Sequence, residues 1–221
     1  MSKSTTRRES EVEETRTLIL DAARHVFVTC GYESTSIREV ARRAGISHGT
    51  IYLHFRDKDD LLYQVSEHEF SLLLGRLRAL PRTRDPIERL GGTLLEVGRY
   101  GLEFPHQYEL MMGHRPASFA ESSAPRFGPQ AEQVGSFIGD LVREAQKRSF
   151  LSAPVGKLDQ LALIASIHGV VTMFSLQLID RETAESALDY SVSLLLSALT
   201  GGSCNISLSS PGDVDSGHAH E

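Results

Sequence analysis

The chain has 221 residues, 40% hydrophobic and 24% charged, which is ordinary for a globular protein and excludes a disordered chain. Its two cysteines, Cys30 and Cys204, lie too far apart for a disulfide framework or a paired-cysteine zinc motif, which favours a reducing, cytoplasmic setting. The formal net charge of −6 argues against a protein that coats nucleic acid non-specifically.

Helical spacing of apolar residues recurs along the chain, so the predicted fold is all-α, with about nine helices. Residues 1–13 are polar and are predicted to be a disordered arm. A first helix is expected over 14–30 and to end at Gly31. The residues expected on its buried face are Leu18, Ala22, Val26 and Cys30, and Ala23 and Phe27 widen that face.

A short second helix is predicted to follow. Thr35 or Ser36 is expected to cap its start, and Glu39 lies at the right distance to form a capping box with Ser36. Gly45 then allows the left-handed conformation that ends this helix in a tight turn.

Ser47 is expected to cap a third helix that runs to Phe55 and turns Ile51 and Phe55 inward. The side chains left for another partner are His48, Thr50, Tyr52 and His54. Two short helices joined by a glycine turn, with outward polar groups on the second, are the pattern of a helix-turn-helix that reads the major groove. Lys58 and the backbone amides at the start of a fourth helix are expected to hold a phosphate.

The fourth helix is predicted over 58–79, and Pro81, Thr83, Asp85 and Pro86 mark a linker or a tight corner that is a candidate domain boundary. Later helices are predicted over 86–103, 106–113, 129–149, 158–179 and 183–199, with a loop over 116–128. Most of the fourth helix is counted with the second domain. The predicted domains are then 14–60 for DNA binding and 61–200 for ligand binding and dimerisation, followed by a disordered tail over 201–221.

Residues 160–179 contain no Asp, Glu, Lys or Arg and are long enough to cross a bilayer. Polar residues interrupt this segment, and Asp159 and Asp180 flank it in place of a basic anchor. A helix buried in a protein interface is therefore the preferred interpretation, and no membrane partner is expected.

The N-terminal pattern resembles the tetracycline-repressor (TetR) family over roughly residues 16–62. The matching positions are Gly31, Thr35, Ser36, Ile37, Val40, Ala41, Ala44, Gly45, Ile46, Ser47, Gly49, Thr50, Ile51, Tyr52, His54, Phe55, Lys58 and Leu61. The resemblance implies operator contacts from Arg38, His48, Gly49, Thr50, Tyr52, His54 and Lys58. Thr35 and Ser36 are expected to be either caps or phosphate contacts, and Thr35 and Ser47 are counted among the DNA-binding residues. Residues 104–112 with Ile167-His168-Gly169 resemble a subgroup with a Trp-His-Gly motif, although Ile167 replaces the Trp.

Two apolar stripes are predicted to form a homodimer through a four-helix bundle: Ile164, Ile167, Val171, Phe174 and Leu178 on one helix, and Leu188, Val192, Leu195 and Leu199 on the other. Burial within one protomer is the alternative. A small apolar ligand is expected to contact residues that are otherwise ordinary core, namely Phe104, Tyr108, Met111, Met112, Phe137, Leu141, His168, Met173 and Phe174.

These features predict a homodimeric repressor that binds a pseudo-palindromic double-stranded operator and is released by a small apolar effector. The alternatives are an activator or ligand-independent regulator of the same fold, and a helical small-molecule carrier or enzyme. No catalytic motif, cofactor or metal site is expected, because no phosphate loop, nucleophile elbow or His-Glu-x-x-His pattern is present.

Overall fold

A computed structural model describes residues 2–112, 128–148 and 150–202. Within them the chain forms nine helices and no strand, in agreement with the predicted all-α fold. The helices are α1 (Ser2–Cys30), α2 (Ile37–Ala44), α3 (His48–Tyr52), α4 (Lys58–Ala79), α5 (Pro86–Glu103), α6 (Pro105–Met112), α7 (Pro129–Lys147), α8 (Lys157–Ser175) and α9 (Arg181–Thr200). The predicted loop over 116–128, apart from Gly128, and the predicted tail beyond Gly202 lie outside the described residues.

Helix α1 begins at Ser2, so the prediction of a disordered arm over 1–13 is wrong for residues 2–13. Polar pairs one turn apart support this extension. Arg7 Nε lies 3.0 Å from Glu11 Oε1, and Ser10 Oγ donates to Glu14 Oε1 at 3.0 Å. Pairs at this spacing stabilise an exposed helix that has no apolar face.

The buried face of α1 includes four of the predicted residues, Ala22, Ala23, Val26 and Phe27, together with Ile19 and Leu20. Leu18 is nearly half exposed and Cys30 is exposed, so these two predicted residues lie outside it. The expectation that Cys30 is buried is therefore wrong.

The helices enclose two hydrophobic cores. The head core lies among α1 to α4 and includes Leu110 of α6, and the body core lies among α4 to α9. Helix α4 contributes to both, since Leu61 packs in the head core and Leu73 in the body core. A displacement of α4 in the body therefore reaches the head directly.

Helix α5 lies at the centre of the body, and two of its glycines admit other helices. A Cβ at Gly98 would lie 2.7 Å from Leu188 of α9, and one at Gly101 would lie 2.6 Å from Val171 of α8. Helix α8 ends at Ser175, four residues before the predicted end. Gln177 there takes the left-handed conformation, with φ of 58°, and turns the chain out of the helix.

Candidate nucleic-acid interface

Helix α2 and the turn after it follow the local sequence closely. Ser36 Oγ accepts from the Glu39 backbone N–H at 3.2 Å, as predicted. The Glu39 carboxylate instead accepts from Arg42 Nε at 3.0 Å, so the reciprocal half of the predicted capping box is replaced by an ion pair. Gly45 is left-handed, with φ of 68°, and the Ile46 N–H closes the turn on the Ala41 carbonyl at 3.1 Å.

Helix α3 is capped by Ser47, whose Oγ accepts from the Thr50 N–H at 3.1 Å and lies 2.8 Å from Thr50 Oγ1. The helix ends at Tyr52 instead of Phe55, because the next residues form a tight turn in which the N–H groups of His54 and Phe55 both reach the Ile51 carbonyl at 2.9 Å. That turn still directs Phe55 inward beside Ile51, and both are buried as predicted.

The other side of α3 is open to solvent. Tyr52 is 49% exposed, and its ring meets that of His48 edge-on, with centroids 5.0 Å apart. Of the other predicted contacts, Arg38 of α2, Ser47 and Gly49 are exposed, and Thr50 and His54 are half-buried. Together with His48 and Tyr52, these residues are called here the α3 surface.

Two predicted contacts have other roles. Thr35 is buried, and its Oγ1 donates to the Gly31 carbonyl at 2.7 Å, so its side chain does not reach the α3 surface. Lys58 Nζ donates to the backbone carbonyls of Tyr32 and Thr35 at 3.0 and 3.2 Å and lies 4.1 Å from the centroid of the Tyr32 ring. Lys58 thus ties the start of α4 to the α1–α2 connection.

The start of α4 also differs from the predicted phosphate site. Asp57 caps it, since its Oδ1 accepts from the Asp60 N–H at 2.7 Å. The Asp59 carboxylate accepts from the Tyr32 hydroxyl, and burial followed by this bond raises the pKa of Tyr32. Carboxylates of the chain therefore occupy the region where a phosphate was expected.

Sequence reasoning missed Leu53 and Arg56 beside the α3 surface. Leu53 is 83% exposed, an unusual position for a leucine, and Arg56 is exposed in the next turn. The available signal was spacing, because Leu53 lies four residues after the outward-facing Gly49.

The predicted ligand residues form two separate groups. Phe137 and Leu141 of α7 line a cleft against α4 and α5. On the other side of α5, the rings of Tyr108 and His168 stack with centroids 5.8 Å apart. The Tyr108 hydroxyl and His168 Nδ1 are buried without a hydrogen-bond partner, and burial raises the pKa of Tyr108. Of the other predicted residues, Met111 is buried, Met173 is exposed, and Phe104, Met112 and Phe174 are half-buried.

Four residues predicted for the dimer interface belong to the protomer's own core: Ile167, Val171, Leu188 and Val192. Gly98 and Gly101 of α5 allow them to pack inside the protomer, which explains the error. Phe174, Leu195 and Leu199 are half-buried against the same core, while Ile164 and Leu178 are exposed. Leucines outside the predicted set are also exposed, including Leu161 at 62% and Leu194 at 56%.

By length and composition, helix α8 is apolar enough to cross a membrane. Little of it is buried within the protomer, so most of its apolar surface has no partner in the described residues. Its exposed side carries no charged residue between 160 and 175. This surface therefore requires an explanation that the packing of one protomer does not supply.

Residues 19–65 match the family model described as bacterial regulatory proteins, tetR family. The HTH-type transcriptional regulator UidR of Escherichia coli is 39% identical over 80 residues, which are 36% of this chain and 38% of UidR. The HTH-type transcriptional repressor KstR of Rhodococcus jostii is 33% identical over 133 residues, 60% of each chain. The matches thus span 38% and 60% of these relatives, in both cases less than two thirds.

The fold extends further than the sequence similarity. A crystal structure of the transcriptional regulator FadR from Bacillus subtilis in complex with stearoyl-CoA superposes with a TM-score of 0.71 over 83% of this chain and 99% of that one, at 16% identity. FadR from Bacillus halodurans gives 0.68 over 81% of this chain and 93% of that one, at 19% identity. Residues 19–65 of this chain thus match the tetR family of bacterial regulatory proteins, and its all-helical fold is shared with these solved structures.

Proposed function

We propose that this protein is a homodimeric transcriptional regulator that binds operator DNA through the α3 surface, acts as a repressor, and is released by a small ligand bound in the body. The observation that carries the proposal is the division of α3 into two sides. Ile51 and Phe55 fix the helix in the head core, and its opposite side presents Tyr52 and His48 to solvent, while Arg38 of α2 is also exposed. A short helix fixed in this way fits the major groove.

The exposed groups have complementary uses on DNA. Arg38 is suited to a phosphate or a guanine edge, and the Tyr52 hydroxyl to a phosphate. Leu53 offers apolar contact for a thymine methyl group. Lys58 supports this surface from behind, because its two backbone hydrogen bonds hold the segment before α2.

The DNA proposal is tested with duplexes selected by the protein from a random library and then measured by gel shift. Arg38→Ala is expected to weaken binding at least tenfold and to flatten the dependence of affinity on salt. Arg143→Ala is the matched control, since Arg143 is an exposed arginine on α7. Equal losses from both variants, or none from Arg38→Ala, would contradict the assignment of the surface.

A second copy of the chain is the proposed partner of the exposed sides of α8 and α9. Uncharged residues at helical spacing form a continuous stripe on each helix: Leu158, Leu161, Ala165, Gly169, Met173 and Leu176 on α8, and Ala187, Tyr190, Leu194 and Ala198 on α9. Small residues among them allow close approach of a helix pair. A symmetric dimer also presents two α3 surfaces, as a pseudo-palindromic operator requires.

Sedimentation equilibrium tests the dimer. Leu161→Asp and Leu194→Asp are expected to give monomers, whereas Leu72→Asp, which changes an exposed leucine on α4, is expected to remain dimeric. Flotation with neutral phospholipid vesicles tests the competing use of α8. Co-flotation of the wild-type protein would favour membrane insertion over the dimer.

Release from DNA is proposed to act through α4. At its midpoint the buried Glu69 accepts from the Tyr100 hydroxyl of α5 at 2.8 Å, and Arg24 Nε of α1 lies 3.7 Å from its other oxygen. Glu69 thus connects head, α4 and body. A ligand that forms hydrogen bonds with Tyr108 and His168 and shifts α5 would change the position of the heads. Binding of this ligand would then weaken binding of the operator, because the two favour different positions of the heads.

A further inference from the structure

The cleft lined by Phe137 and Leu141 lies between the end of α4, the segment 80–83, α5 and α7, with a volume of about 430 Å³. This volume is within the range of small-molecule sites, roughly 300–1,000 Å³. Leu77, Leu95 and Leu141 form an apolar floor from three different helices and are otherwise buried. The cleft is separate from the stacked pair of Tyr108 and His168, which it does not include.

Gly92 of α5 lies in the wall of this cleft. A Cβ at this position would meet no atom within 4 Å, in contrast to Gly98 and Gly101 of the same helix, where close packing requires glycine. The wall beside Gly92 is therefore free to accept the chain of a bound molecule, and a large side chain there would occupy that space.

The rim of the cleft is basic although the whole chain is acidic. Four arginines and a single carboxylate line it: Arg78, Arg82, Arg89, Arg99 and Glu88. Arg89 is paired with Glu144 at 2.8 Å, and Arg78 donates to a glutamine amide at 3.2 Å. Arg82 and Arg99 have no hydrogen bond or ion pair to any residue in the described ranges.

We propose that this cleft binds an amphipathic anion, with an apolar chain over Gly92 against the leucine floor and a carboxylate or phosphate head held by Arg82 and Arg99. Guanidinium groups bind both oxyanions through paired N–H donors, so the two heads share one chemistry. Unpaired arginines beside an apolar floor match a ligand that has both parts. Because Leu77 and Arg78 belong to α4, occupation of the cleft acts on the helix that enters the head core.

Calorimetry on the purified full-length protein, without DNA, tests the site with four probes that share an unbranched ten-carbon chain and differ in head group. They are decanoate, decyl phosphate, decanol and decyltrimethylammonium. Both anions are expected to bind at least tenfold more tightly than decanol, and the cation not at all. The tighter of the two anions identifies the preferred head group. Equal affinity for decanol and decanoate would overturn the proposal.

Two sets of variants locate the binding. The double variant Arg82→Gln, Arg99→Gln is expected to weaken the anions tenfold or more without changing decanol, whereas Arg143→Gln has no effect. Gly92→Leu is expected to block all binding, and Gly75→Leu, the same change at an open position of α4 outside the cleft, to leave it intact. Unchanged decanoate affinity in Gly92→Leu would refute the site. Because these measurements contain no DNA, they are independent of the proposed operator binding.

Discussion

Replacing Lys58 by methionine separates a structural from a DNA-binding role for this side chain. Methionine keeps most of the apolar stem and removes the ammonium that donates to two backbone carbonyls. Hydrogen bonds from a charged donor contribute about 1.5–3 kcal/mol each when buried, and the contact with the Tyr32 ring about 0.5–1 kcal/mol. Because Lys58 is only half-buried, we expect a net loss smaller than the sum of these contributions, about 2–3 kcal/mol.

For a chain of this length, about 2–4 °C in melting temperature corresponds to each kcal/mol, so Lys58→Met is expected to melt about 4–12 °C lower in a calorimetric scan. Lys147→Met, at an exposed lysine, is the control and is expected to change melting little. Tyr52→Ala is expected to leave melting near the wild-type value and to weaken operator binding, because Tyr52 lies on the α3 surface.

Salt dependence provides the decisive measurement. Loss of a lysine that contacts a phosphate lowers the slope of log affinity against log salt by about 0.9. We expect Lys58→Met to weaken DNA binding with little change in this slope, because the variant loosens the head. A variant with wild-type melting and a slope reduced by about 0.9 would refute this reasoning and return Lys58 to the role of a phosphate contact.

Four further changes test the body. Gly101→Ala is expected to destabilise the protein by about 1–3 kcal/mol through overpacking, whereas Gly75→Ala, at an open helical position, is expected to stabilise it by about 0.5–1 kcal/mol; urea unfolding measures both. Tyr100→Phe is expected to cost about 2–3 kcal/mol in the same assay, because the buried Glu69 loses its hydrogen bond. Tyr108→Phe is expected to raise the free energy of unfolding by about 1 kcal/mol, because it removes a buried hydroxyl without a hydrogen-bond partner. Equal effects of the two tyrosine changes would contradict the hydrogen bonding described here.

The helix-turn-helix was predictable because its determinants act within one helical turn. Ser36 and Ser47 satisfy backbone donors three residues ahead, and Gly45 takes the one conformation that closes the turn. Such contacts need no knowledge of the rest of the chain. Locality also explains why the contacts of Lys58 and Thr35 within the chain were not predicted, since Lys58 binds carbonyls 26 and 23 residues away and Thr35 is buried against the end of α1.

The class of the fold, the position of most helices and the inward-facing residues of α3 follow from local patterns in the sequence. Which side of α8 and α9 packs inside the protomer depends instead on contacts between helices that are far apart in the chain. Helix α8 has apolar residues around its whole circumference, so periodicity does not distinguish the stripe in its own core from the stripe left for a partner. The choice is made by Gly98 and Gly101 on α5, which give Leu188 and Val171 the space to pack inside the protomer.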